Sequence, residues 1–228
     1  MRKLLATAVA GFIGCAIAAP AANAGLINEA ALAACVGQAV CNVGGTTITP
    51  SGGGNLDSKT VDGQFGLGIA GQTGGEIDIN ESMHIAFNAD VILNAIKIVF
   101  IYNGPEYGDP DEQGEIGIEY ADGSFGSALL SVTGENTATL NGFAGVSCGA
   151  TDGTGSGCFL FSGDPLGALA VKAISITALP GIFSGGETNN SDFSLASYEF
   201  SEVPIPGAAL LLLSGLGGLG FASRRRKA

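Results

Sequence analysis

The chain of 228 residues has no tryptophan, a single histidine and, between its two ends, no arginine. Without arginine, the central part lacks the side chain best suited to bidentate recognition of carboxylates and phosphates. A catalytic triad would have to use His84, and no G-x-S-x-G sequence precedes a helix-forming stretch. We interpret His84 as a partly buried strand histidine and predict that the protein is not an enzyme.

Positive charge is almost as scarce in the central part. Three lysines, Lys59, Lys97 and Lys172, stand against 21 acidic residues, which gives a formal charge of -18 between the two ends. Such a domain is unsuited to nucleic acids and to anionic lipid surfaces, because both require Lys and Arg. The other basic residues lie at the chain ends, which predicts that a membrane handles both ends. They are Arg2, Lys3, Arg224, Arg225, Arg226 and Lys227.

The first 24 residues have the pattern of a secretory signal peptide. The sequence MRKLLATAVAGFIGCAIAAPAANA combines a basic start, an apolar run and a small-residue ending. Ala22 and Ala24 fit the A-x-A cleavage pattern, which predicts a cut before Gly25. Cys15 would leave with the signal. A buried helix or a membrane anchor is the alternative interpretation of this segment.

Four cysteines remain after that cut, namely Cys35, Cys41, Cys148 and Cys158. An even number of cysteines in an exported chain indicates disulfides, and four cysteines allow three connectivities. The short spacings favour two local loops, Cys35–Cys41 and Cys148–Cys158. The absence of a C-x-x-C pair and the distance of the only histidine argue against a zinc site.

Residues 25–202 have the length of one domain, and their Gly-, Ser- and Asn-rich stretches predict frequent turns. One short helix is predicted within Leu26–Cys35. The rest shows strand patterns, and Val91–Tyr102 is apolar on both faces, as expected of a covered central strand. The other predicted strands are Glu76–Asn80, Met83–Phe87, Glu115–Tyr120 and the stretches SALLSVTG, CFLFSG, ALAVKAISITAL and FSLASYEF.

About nine or ten strands separated by turns predict an all-β fold, an antiparallel β-sandwich of jelly-roll type. It would be flanked by an N-terminal signal helix and a C-terminal transmembrane helix. A parallel β-helix is the main alternative, although the sequence has no fixed repeat period.

The acidic segment EYGDPDEQGEIGIEY is the best candidate for a ligand site within the domain. Its oxygen ligands suit Ca²⁺, and DPDEQG resembles the opening of a calcium loop. However, Tyr120 stands where an EF-hand has its bidentate glutamate, and a solvated acidic loop is the other interpretation. Paired carboxylates also occur in glycosidases, but aromatic residues are sparse here. The candidate ligands are Asp109, Asp111, Glu112 and Glu115.

The C-terminal residues 203–228 combine a proline pair, 17 uncharged residues over 207–223 and a basic tail at 224–227. A helix over 207–223 would measure about 25 Å, which is short for a membrane span. The tail would stay on the cytoplasmic side, so an exported N-terminus and this C-terminus agree on one crossing. A permanent single-span anchor and a buried core helix are the alternatives.

This tripartite end resembles the PEP-CTERM family of bacterial sorting signals, in its VPLPA-type variant. The motif corresponds to Val203, Pro204, Ile205, Pro206 and Gly207. It departs from the family at Ile205, where the commoner motif has Glu, and at Gly207, where the variant has Ala. The resemblance implies a substrate of an exosortase-like membrane enzyme, cleaved near the motif and released to the envelope or surface. It also implies an association with exopolysaccharide and biofilm.

Two classes of function follow for the domain itself. The first is a structural protein of the cell surface or extracellular matrix. The second is a lectin-like module that binds carbohydrate, with Ca²⁺ at the acidic segment. A secreted hydrolase comes third. The expected partners are signal peptidase, an exosortase-like enzyme and exopolysaccharide, and nucleic acid is not expected.

Overall fold

A computed structural model describes residues 23–104, 110–149, 157–182 and 191–204. Residues Ala22–Val203 form one compact unit. The predicted signal helix and the predicted C-terminal helix lie outside the described residues. Within the described ranges, no helix is both long enough and apolar enough to span a bilayer.

The described residues form fourteen β-strands and one short α-helix. In chain order these are β1 (Ala24–Ile27), α1 (Glu29–Ala33), β2 (Cys41–Val43), β3 (Thr46–Ser51), β4 (Leu56–Val61), β5 (Gln64–Ile69), β6 (Ser82–Val99), β7 (Asp111–Tyr120), β8 (Phe125–Gly134), β9 (Thr137–Leu140), β10 (Phe143–Ala144), β11 (Val146–Ser147), β12 (Cys158–Ser162), β13 (Val171–Ile182) and β14 (Ser194–Glu202).

Every pair of these strands is antiparallel. The main order is β10-β9-β8-β7-β13-β6-β14-β5-β4, and β3 and β12 also pair with β6. The predicted all-β antiparallel class is therefore confirmed. The alternative of a parallel β-helix is wrong, because neighbouring strands run in opposite directions.

Strand β6 is the centre of the sheet. Its first half pairs with β3 and β13, so that Ile85 lies between Ile48 and Ile174. Its second half pairs with β12 and β14. The sequence predicted two strands here, Met83–Phe87 and Val91–Tyr102, with residues 88–90 between them. Those three residues are exposed, yet the strand continues through them and changes partners. The predicted two-sided cover of the second half is confirmed, since Ile98 and Val99, which point to opposite faces, are both fully buried.

Two other predicted elements differ from the structure. The helix is confined to Glu29–Ala33, because Leu26 and Ile27 pair with β14 instead. Its N-cap is Asn28, whose side-chain oxygen accepts the backbone N–H of Ala31. The predicted strand Glu76–Asn80 forms only isolated bridges. The helix is therefore shorter than predicted because its first residues pair with a strand that is distant in sequence. The segment Glu76–Asn80 is not a regular strand, and its carboxylates Glu76 and Asp78 are buried.

The core consists of one large cluster to which most strands contribute and a small second cluster of Val99, Phe100, Cys158 and Ala196. Its aromatic centre joins β6 to β14, where the Phe87 ring lies 5.2 Å from Phe200 and 6.3 Å from Tyr198, both edge-on. Phe159 and Phe161 of β12 are also fully buried. Side chains of this size each contribute about 1.5–3 kcal/mol by burial, so the core is the main source of stability.

Tyr198 carries the only polar atom of that aromatic group. Its hydroxyl lies 2.6 Å from Thr46 Oγ1, and Thr46 Oγ1 donates to the Val43 carbonyl at 2.7 Å. The tyrosine is therefore the donor in the first bond, since the threonine hydroxyl has a single proton. Burial raises the pKa of Tyr198 to about 12.

We predict a loss of stability in strong alkali because of Tyr198. In the unfolded chain a tyrosine ionises near pH 10, so the folded state resists ionisation and stability falls as the pH rises from about 10 to about 12. The expected loss is about 2–3 kcal/mol. Urea unfolding at a series of pH values measures it, with Tyr198→Phe as the control. Equal alkaline slopes in both proteins would contradict the assignment.

Candidate functional site

A shallow groove lies on the outer face of the sheet, over β6, β13, β7 and β8. Its volume is about 210 Å³. We call it the His84 groove. Its lining residues are His84, Gly117, Ile118, Glu119, Phe125, Gly126, Ala173 and Ser175.

The centre of the groove is a row of directly opposed residues. His84 pairs with Ser175, Ser175 pairs with Gly117, and Gly117 pairs with Ser127. On the other side of β6, Thr49 of β3 continues the row. Neighbouring strands are about 4.8 Å apart, so the row crosses five strands at that interval, with a polar side chain on every strand except at Gly117. His84 Nδ1 lies 3.3 Å from Ser175 Oγ.

The end of the groove combines an ion pair with an exposed aromatic ring. Glu119 faces Phe125 across the β7–β8 pairing, and its carboxylate accepts a bond from Lys172 Nζ at 3.0 Å. The Phe125 side chain is 78% exposed, more than any other large apolar residue described. The groove therefore offers hydrogen-bonding groups, an apolar platform and little net charge.

Gly117 forms the floor of the groove, and the fold does not require glycine there. Its φ is not positive, and an added Cβ would meet only Ser175, at 3.7 and 3.8 Å, which is ordinary contact. Glycine inside a strand commonly marks a close approach of a ligand or another backbone. The missing side chain at Gly117 leaves the space open.

His84 and Ser175 do not form a triad with the nearby carboxylate. Glu119 bonds to Lys172 rather than to the imidazole. Among the hydrogen bonds of the described residues, none joins a carboxylate to His84, so the geometry lacks the group that would orient an imidazole as a general base. His84 is half-buried on a strand, as the sequence predicted.

The structure separates the described members of the predicted calcium set. Glu112 is fully buried, and its carboxylate accepts the backbone N–H groups of Tyr102 and Asp192, the latter at 3.0 Å. Asp111 and Glu115 lie at the opposite phase of β7, and Asp111 accepts the N–H of Gly104. Asp109 lies outside the described residues. In the described part of the chain, no three His, Cys, Asp or Glu side chains are grouped for a metal.

Sequence reasoning missed a second set of buried carboxylates, in the loop between β5 and β6. Glu76 is 1% exposed and bonds to Lys59 at 2.7 Å, while Asp78 accepts the N–H of Thr73. Glu81 accepts the N–H of Asp78, and burial raises the pKa of its carboxyl. These carboxylates stabilise the loop, because each accepts a hydrogen bond from a donor that would otherwise lack this partner.

Both predicted local disulfides are present. Cys35–Cys41 and Cys148–Cys158 have Cα separations of 5.3 Å and 5.1 Å. The first belongs to the main core, and both of its cysteines are buried. The second joins the region of β11 to the start of β12.

The two ends of the domain lie side by side. Ala24 and Gly25 belong to β1 and pair with Ser201 and Phe200 of β14. The N–H of Glu202 donates to the Asn23 carbonyl at 2.8 Å. Val203 is 37% exposed and Pro204 is exposed. Ala22, the remaining motif residues Ile205, Pro206 and Gly207, and the basic tail lie outside the described residues.

No protein-family model matches this chain, and no curated protein matches it significantly. The candidate function is therefore inferred from the residues and geometry described above.

Proposed function

We propose that the chain is an exported bacterial protein that an exosortase-type system sorts to the cell surface or extracellular matrix. Residues 1–24 would be the signal peptide, 25–202 the exported domain and 203–228 the sorting signal. Two disulfides support an oxidising compartment, because such bonds rarely persist in the cytosol.

The observation that carries this proposal is the junction at the end of β14. The last strand ends at Glu202, and the motif begins at the next residue, with Val203 and Pro204 both exposed. Cleavage within the motif would leave every described strand and every described core residue in place. The two prolines also favour an extended backbone, which a protease cleft accepts.

The N-terminal cut has a different constraint. Ala24 is paired with Ser201, so cleavage before Gly25 would fall inside β1. We propose that signal peptidase acts before β1 pairs with β14. The chain is then held by its C-terminal span alone, with the basic tail in the cytoplasm, until an exosortase-like enzyme releases the domain.

Outside the cell, we propose a structural role in a matrix that contains exopolysaccharide, carried on a jelly-roll-like β-sandwich. Enzymatic activity is not part of this proposal. The second candidate is a lectin-like carbohydrate-binding role, with Ca²⁺ in the acidic segment as an optional ligand. The His84 groove favours this second role, since it offers polar groups beside an exposed aromatic ring.

The basic tail provides a direct test. Replacing Arg224, Arg225 and Arg226 by alanine should abolish most surface delivery, because three of the four positive charges that fix the membrane orientation are lost. The matched control replaces the same three residues by lysine and should retain delivery. Fractionation and immunodetection of the producing cells measure both. Normal surface delivery of the alanine variant would count against a sorting role for the tail.

A further inference from the structure

We propose that the His84 groove binds a neutral, hydroxyl-rich glycan chain that lies across β6, β13, β7 and β8. This inference deepens the lectin-like role above and takes from the proposed export only the location in which the ligand would be met. Binding by the purified protein is independent of how the chain is sorted.

The chemical groups of the groove match the two sides of a sugar ring. His84 and Ser175 provide an imidazole and a hydroxyl, which donate to and accept from ligand hydroxyls. Phe125 presents an exposed ring on which the C–H face of a sugar packs. A few convergent polar groups beside an apolar surface are typical of sites that bind small organic ligands.

Charge selects a neutral ligand over an anionic or cationic one. The only charged lining residue is Glu119, and Lys172 already binds its carboxylate. A polyanion would find no unpaired cation among the lining residues and would be repelled by the acidic domain. A cationic peptide would have to compete with Lys172 for Glu119.

Shape selects a chain over a compact ligand. At about 210 Å³ the groove is smaller than the pockets of about 300–1,000 Å³ that enclose drug-sized ligands. The row of opposed residues continues beyond the groove, to Thr49 on one side and to Ser127 on the other. One or two sugar residues would occupy the space above Gly117, and the chain would continue across the neighbouring strands.

The test is a titration of the full chain with cellohexaose, laminarihexaose and mannohexaose, with an alginate oligomer as the anionic probe. Calorimetry or amide chemical shifts would follow binding. At least one neutral hexasaccharide should bind with a dissociation constant on the order of 1 mM or tighter. The alginate oligomer should bind more weakly.

Two variants locate the site. Gly117→Val fills the floor, and it should keep or raise the melting temperature because valine suits a strand and a Cβ fits there. Its binding should be lost. Phe125→Ala should weaken binding about tenfold through loss of the aromatic contact. Leu169→Ala is the matched control, since Leu169 is 64% exposed and outside the groove.

Three results would overturn the proposal. They are no binding of any neutral hexasaccharide, tighter binding of the alginate oligomer, or undiminished binding by a folded Gly117→Val protein. A dimer that dissociates in Gly117→Val would also overturn it, because a second copy of the chain would then be the occupant. None of these results bears on export, which the location of the processed protein tests separately.

Discussion

Replacing all four cysteines of the two disulfides by alanine should lower the free energy of unfolding by about 5 kcal/mol. The two bonds close loops with sequence separations of 6 and 10 residues. Loops of this size contribute about 2–3 kcal/mol each by restricting the unfolded chain. A domain is usually stable by only about 5–15 kcal/mol, so the reduced form should be close to unfolding.

The separate pair variants distinguish the two loops. Cys35→Ala with Cys41→Ala should cost more than Cys148→Ala with Cys158→Ala, because both Cys35 and Cys41 belong to the main core and leave a cavity. Urea unfolding with and without reductant measures the effect. A midpoint that reductant does not change would contradict this assignment and would weaken the case for an oxidising location.

Replacing Glu112 by alanine should lower the free energy of unfolding by about 3–5 kcal/mol. Its carboxylate is fully buried and accepts two backbone N–H groups, from Tyr102 and Asp192. Hydrogen bonds to charged groups contribute about 1.5–3 kcal/mol each, and their loss leaves backbone donors without this acceptor. Three segments that meet at Glu112 would then be held less firmly.

Glu115→Ala is the matched control, because Glu115 is exposed and lies on the same strand. It should change the free energy of unfolding by less than about 0.5 kcal/mol. Glu112→Gln should fall between the two, since an amide retains one acceptor. A fall in the melting temperature of the unaltered chain on addition of EDTA would contradict this account, because it would assign the acidic segment to a bound cation.

Alternation along the sequence predicted the longer strands well, and it could also have placed Glu112. In β7 the buried residues Ile116 and Ile118 define the inward phase, and Gly114 and Glu112 continue it toward the N-terminus. The acidic composition of the segment suggested a solvated loop instead. The Phe193 ring packs where a side chain at Gly114 would lie, which explains the glycine at that inward position.

Glu76 and Asp78 show why composition misleads for short acidic stretches. Their alternation with Ile77 and Ile79 predicted a strand with one solvent-exposed face. In the structure both carboxylates are buried, because Lys59 and the backbone of Thr73 supply their partners. Lys59 is 17 residues away from Glu76, and the donor at Thr73 is a backbone group. The period of apolar residues in the segment therefore does not indicate either partner.

Sequence patterns could not predict the His84 groove either, because its residues are far apart in the chain. It exists because the register of three strands aligns His84, Ser175 and Gly117. Each residue alone is unremarkable, and only Gly117, a glycine inside a strand, was a signal. The continuity of β6 through residues 88–90 and the pairing of Leu26 with Glu199 likewise depend on strands that are far apart in the chain.

The central claim is that both chain ends are removed and that the domain between them is released. The intact mass of the protein recovered from its producing cells, together with its location, tests this claim most directly. The account predicts a surface or matrix product that begins at Gly25 and ends within or next to the motif 203–207. A product that still ends at Ala228 and remains in the inner membrane would contradict it.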